Sequence, residues 1–120
     1  MAELVIDHDD LVVHLSTLEK FGALHGHVRV SLTAVKQAWV ATDPWRELRG
    51  YRAPGTGIPK VIMLGTTRGS FGKDFCAVYG RKPALVIELA AGEFNRLLIS
   101  TPEPNVLAER VNSELPKARS

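Results

Sequence analysis

"KVIMLGTTRGSFGKDFCAVYGRKPALVIELAAGEFNRLLIST", residues Lys60 to Thr101, decides the fold class. It holds four runs rich in β-branched, aliphatic and aromatic residues: KVIMLGTT, KDFCAVYG, ALVIELA and FNRLLIST. Such residues fit a pleated, half-buried surface. The turn signals RGSFG, RKP and AGE separate the runs. Strands spaced about ten residues apart with glycine-containing turns predict an antiparallel meander. ALVIEL is apolar at almost every position, which predicts a strand in the middle of a sheet with both faces covered.

Upstream, ELVID and LVVHLS are short β-rich runs around HDD, predicting a hairpin over residues 3 to 16. Ser16 and Glu19 have capping-box spacing. Leu18, Phe21 and Leu24 then step at helical intervals, and Gly26 offers a stop, so a short helix is expected at 17–25. HVRVSL and AVKQAWVAT read as strands, with a bend between Ser31 and Ala34, and Asp43-Pro44 ends the second. The segment from Pro44 to Pro59 reads as a long irregular connection, of the kind that tends to carry function. Within it, Pro54, Gly55, Gly57 and Pro59 predict a stiff corner.

Downstream, TPEPNVLAERVNSEL changes period. Leu107, Val111 and Leu115 make one apolar stripe with Ala108 beside them, predicting an amphipathic helix. Thr101 is its expected cap, Pro102 and Pro104 fall in its first turn, and Pro116 ends it.

The 120 residues fit one domain, 1–120, with a core over 3–115. Hydrophobic residues at 45% and charged residues at 23% argue against global disorder. Cys76 is the single cysteine, which excludes an intrachain disulfide and a multi-cysteine zinc site. MAELVIDHDD has no basic region before an apolar run, and no apolar stretch reaches the ~18 residues of a membrane span. A cytoplasmic location is the expectation. Charge is uneven: between Arg46 and Lys82 eight cations face two acids, Glu47 and Asp74. That segment is a net +6 against −4 for the remainder, within a chain total of +2. Such asymmetry steers anionic partners.

The order of these elements resembles the pleckstrin-homology (PH)-like fold, and the chain is similar to small bacterial PH-domain-like proteins. The resemblance rests on the opening hairpin, HVRVSLTAVKQAWV, KVIMLGTT, the pair ALVIEL and FNRLLIST, and the helix after STPEP. It covers nearly the whole chain. It implies a mainly β domain, α+β by count: a bent antiparallel β-barrel or two-sheet sandwich of seven or eight strands with one C-terminal α-helix. In phosphoinositide-binding members the first hairpin turn carries lysines and arginines, whereas here it reads DHDD. The tryptophan usual in the family's terminal helix is also missing, since Trp39 and Trp45 both lie upstream.

No catalytic motif emerges. His25 and His27 in HGH would share one side of an extended strand, but zinc needs three or four ligands, so no metal is assigned. GTG at 55–57 is followed by a strand, which leaves no helix N-terminus for a phosphate and excludes a dinucleotide fingerprint. Cys76 sits between Phe75 and Ala77 and reads as a packing residue. No cofactor is expected. Trp45, Arg46, Arg49, Tyr51 and Arg52 mix rings with guanidiniums, the composition of interface anchors, and form the candidate interaction surface. The resulting expectation is a non-enzymatic binding or scaffolding domain for a protein partner. The alternatives are an anion-binding module for anionic lipid or nucleic acid using residues 46–82, and a small enzyme of unknown reaction. Homo-oligomerisation through strand edges is a further expectation, because an incompletely closed barrel leaves unpaired backbone groups.

Overall fold

A computed structural model describes residues 2–23, 26–58 and 60–119, apart from the side chains of 51–54 and 116–119. In chain order the elements are β1 (Glu3–Asp7), β2 (Asp10–His14), α1 (Thr17–Ala23), β3 (Val28–Ser31), a 3-10 turn (Leu32–Ala34), β4 (Val35–Ala41) and α2 (Pro44–Glu47). There follow β5 (Tyr51–Ile58), β6 (Ile62–Gly69), β7 (Gly72–Tyr79), β8 (Ala84–Leu89), β9 (Arg96–Ser100) and α3 (Pro104–Arg119). The protein is thus mainly β, with nine strands among the described residues rather than the seven or eight expected, in two sheets, β1-β2-β3 and β4-β8-β9-β7-β6-β5. The six-stranded sheet ends on β4 and β5, which do not pair, so no barrel closes.

Two expectations about the strands need correction. The last four strands are not a plain meander. β9 inserts between β8 and β7, antiparallel to the first and parallel to the second. The Gly80–Pro83 turn permits this: five residue steps from Tyr79 to Ala84 reach roughly 16 Å, more than the roughly 9.6 Å that two strand spacings require. Nor is Pro44–Pro59 irregular, since α2 and β5 occupy most of it. β5 pairs with β6 through a register shift between Arg52 and Gly55. Pro54 lacks an amide donor and is tolerated there because β5 is an edge strand and the ladder is already broken. Gly55 has φ +150°, and a Cβ on it would lie 2.2 Å from the Leu64 carbonyl oxygen, so the close approach of β5 to β6 requires glycine.

Strand alternation gives the large sheet two apolar faces. Phe75, Ala77, Leu85, Ile87, Leu97 and Ile99 face inward and join Leu11, Val13 and Val28 of the small sheet in one core. Cys76, Val78, Ala84, Val86 and Leu98 face outward in a second cluster, covered by Trp39, Trp45 and Leu48. β8 is buried on both faces, as its unbroken apolar run predicts.

α3 packs on β4, β8 and the 3-10 turn. Ala108, Val111 and Leu115 are buried, while Leu107 is only partly covered at the rim of the stripe. The helix starts later than expected. Pro104 is its first residue, the Leu107 amide donates to the Glu103 carbonyl at 3.2 Å, and Thr101 and Pro102 lie upstream. Pro116 does not end it: the helix runs on to Arg119. The Asn112 carboxamide pairs with β4 as a neighbouring strand would: its Oδ1 accepts from the Ala38 amide at 3.0 Å and its Nδ2 donates to the Ala38 carbonyl at 2.8 Å. Asn112→Ala leaves both buried backbone groups unpartnered and is expected to lower unfolding free energy by about 1–3 kcal/mol, read from urea denaturation.

Candidate functional site

Asp43 caps α2 by accepting from the Trp45 amide, with Pro44 at the first helical position. From this start the chain runs back across the outer face of the large sheet. The Trp45 indole N–H donates to the Gly80 carbonyl at 2.7 Å, and its ring joins the outer cluster. The Arg49 guanidinium grips Asp74 with two hydrogen bonds, 2.6 and 2.9 Å, and lies 4.1 Å from the Phe71 ring centroid. Asp74 is buried, and its hydrogen bonds raise the Arg49 pKa, holding the guanidinium charged. Arg96 donates to Glu47 at 3.3 Å and lies 5.6 Å from the Trp39 ring centroid.

The five residues expected to form one interaction surface are therefore divided. Trp45 and Arg49 serve the fold. Arg46 points to solvent, 87% exposed, with Asp43 at 3.4 Å. The backbones of Tyr51 and Arg52 pair with Arg68 and Thr67, and their side chains lie outside the described residues. Arg49→Ala strands the buried Asp74 charge and is expected to cost about 2–4 kcal/mol, the low side of the range for a buried pair because Arg49 is partly exposed. Arg46→Ala should stay within about 0.5 kcal/mol. Urea titrations followed by tryptophan fluorescence compare the two.

The remaining chemical candidates also resolve into structure. Cys76 is buried, and burial pushes its thiol up to about 12, so it holds no thiolate for attack at neutral pH. The Nδ1 of His27 accepts from the Leu15 amide at 2.9 Å and its ring meets His14 edge-on at 4.9 Å. His25 lies outside the described residues. Among the described residues no three His, Cys, Asp or Glu side chains come together as a metal site, and no helix is long and apolar enough to cross a membrane.

α1 departs from expectation in an informative way. The capping box forms: the Ser16 amide donates to Glu19 at 2.8 Å and the Glu19 amide to the Ser16 hydroxyl at 3.2 Å. The face carrying Glu19 and Ala23 is the buried one. Leu18 and Phe21, two of the residues that step at helical intervals, are 84% and 75% exposed, because at about 100° per residue Leu18 lies roughly a third of a turn and Phe21 roughly half a turn from that face. Glu19 accepts from the Tyr79 hydroxyl at 2.5 Å. Burial pushes the Glu19 carboxyl up, but its hydrogen bonds from Ser16 and Tyr79 outweigh this and leave its pKa below the ordinary value. The Tyr79 hydroxyl is raised by burial and by Glu19. A depressed carboxyl stabilises the fold above its unfolded pKa of about 4.3, and that contribution is lost as pH falls through the folded value. Tyr79→Phe should therefore cost about 1–3 kcal/mol at neutral pH, with the difference shrinking below about pH 4 in a pH series of urea denaturations.

Contacts around Tyr79 gather one end of the molecule. Thr56 donates to the Gly22 carbonyl at 2.7 Å, and the Gly80 amide donates to the Val61 carbonyl at 2.8 Å. Tyr79 and Lys82 share a hollow of about 530 Å³ with Thr101 and Pro104. Thus α1, the β5–β6 turn, the β7–β8 turn and the start of α3 adjoin. Among the described residues the exposed large hydrophobic side chains are Leu18, Phe21, Ile58, Val61 and Val106, and all belong to these elements. Lys20, Lys60, Arg81 and Lys82 are exposed on the same elements. The acidic turn Asp7–Asp10 stands at the far end of the small sheet, joined to the 3-10 turn by the Leu32 amide bonding Asp9. The basic segment 46–82 is accordingly not one patch. Arg49 and Lys73 pair with Asp74 and Glu93, and three of its outward cations, Lys60, Arg81 and Lys82, join Lys20 from outside the segment. The misplaced apolar pair Leu18 and Phe21 was the sequence signal for this end: a seven-residue helix whose capping glutamate faces inward must turn them outward. Against family models, curated proteins and solved structures, the chain has no match.

Proposed function

We propose that the chain is a PH-like, non-catalytic binding domain that docks its Tyr79 end on an anionic lipid surface. The observation that carries this is the coincidence of five exposed hydrophobic side chains with four exposed cations on adjoining elements. Exposed apolar clusters rimmed by polar residues mark interaction sites. Aliphatic and aromatic groups among lysines and arginines suit the boundary between headgroups and acyl chains. Each cation near an anionic surface contributes about 1 kcal/mol, screened by salt. Nucleic acid is less well matched, because four of the five exposed hydrophobics are aliphatic and offer no stacking plane. The opening hairpin, the two sheets around a shared core and the C-terminal helix support the PH-like reading. The sealed Cys76 supports a binding role over nucleophilic catalysis.

Co-sedimentation with phosphatidylserine-containing vesicles and with pure phosphatidylcholine vesicles tests this. Binding to the first alone, lost at high salt, is expected. Lys60→Glu should weaken it about tenfold or more. The double change Leu18→Ser with Phe21→Ser should weaken it without lowering stability, since both side chains are already in water. Equal partition onto the two vesicles, or none onto either, overturns the proposal.

A further inference from the structure

A second surface, independent of the lipid-facing end, lies along β3. Four strands stand at sheet edges: β1, β3, β4 and β5. Two are obstructed: α3 and Asn112 cover β4 at Ala38, and Pro54 interrupts β5. The start of β1 borders only a smaller hollow of about 290 Å³, shared with Thr101, Pro102 and Leu107. β3 instead borders a groove of about 580 Å³, walled on its far side by the β8–β9 turn from Ala91 to Phe94. The Ala90 amide bonds the Ala34 carbonyl at 2.7 Å and anchors that wall to the end of the 3-10 turn.

The hydrogen-bonding phase of β3 follows from its register. The Leu32 amide donates to the Asp9 carbonyl at 2.9 Å, in line with the β2–β3 pairing. Antiparallel pairs alternate between bonded and non-bonded. Val30 and Val28 therefore turn their backbone groups toward Leu11 and Val13 of β2, and Arg29 and Ser31 turn theirs toward the groove. The Arg29 side chain does not cover this edge. It reaches back across the small sheet to Asp10 at 2.9 Å and Asp7 at 3.2 Å. The Ser31 hydroxyl is likewise engaged with Thr33.

We infer that the open edge of β3 receives a single extended segment of a partner protein as an added strand. Its backbone pairs with Arg29 and Ser31, and its inward side chains lie toward Val30 and Phe94, so apolar residues at alternate positions suit it. The Ala91–Phe94 wall favours one strand over the edge of a second folded sheet, which would need open space beyond β3 for its next strand.

Amide hydrogen exchange by NMR tests this on the full chain, with an extended peptide of alternating valine and threonine flanked by lysines as the probe. In the free protein the Arg29 and Ser31 amides should exchange rapidly while those of Val28 and Val30 are protected. The peptide should slow exchange at Arg29 and Ser31 about tenfold or more. The same peptide N-methylated on alternate amides, and the variant Ala91→Trp at unchanged Tm, should abolish the effect. Protection of Arg29 and Ser31 in the free protein, or no change up to the peptide's solubility limit, overturns the inference. Protection that grows with protein concentration alone also overturns it, and assigns the edge to a second copy of the chain.

Discussion

The central strands β8, β9 and β7 are apolar on both faces, and the rest of the structure answers to that constraint. A sheet apolar on two sides must be covered twice. The three-stranded sheet, α1 and α3 cover the inner face. The outer face has no second sheet, and the chain between β4 and β5 covers it, with Trp45 and Leu48 over Cys76, Val78, Val86 and Leu98. Full burial of each such aliphatic side chain contributes about 1.5–3 kcal/mol, more than the segment could gain from an exposed ion pair. The Arg49–Asp74 pair holds the far end of this cover, and the Trp45 bond to Gly80 holds its near end.

Coverage on this scale determines which groups remain for recognition. Tryptophan and arginine are frequent at interfaces, but here Trp45 and Arg49 are consumed in closing the outer face. Cys76, the one thiol, sits beneath them. What is left to solvent lies at the ends and edges of the sheets: the apolar and basic end around Tyr79, and the unpaired backbone of β3. Both readings of function rest on these leftovers. The two surfaces use different physics, one being desolvation with screened charge and the other directional hydrogen bonding.

Much of this was legible in the residues. The hairpin, the short capped helix, the run of late strands and the terminal amphipathic helix are all present, although the last begins at Pro104 and runs through Pro116. β5 was hidden because its proline and glycines read as a corner, yet an edge strand with a bulge accepts both. The candidate surface was only partly legible. The excess of positive charge in 46–82 was visible, but not that Asp74 would claim Arg49 or that Lys20 would join Lys60, Arg81 and Lys82. Those groupings depend on separations of tens of residues in the chain, which composition does not encode.

By itself the sequence determined most of the element types, β5 and α2 excepted, and which faces of them are apolar, since side-chain period and turn chemistry are local properties. Tertiary structure alone decided the order of the strands and the assignment of each apolar group to core or surface. β9 slips between β7 and β8 because a turn limits how far apart two strands lie without requiring that they pair. Leu18 and Phe21 stay in water because the helix that bears them has one buried face, and Glu19, bound to Tyr79, occupies it.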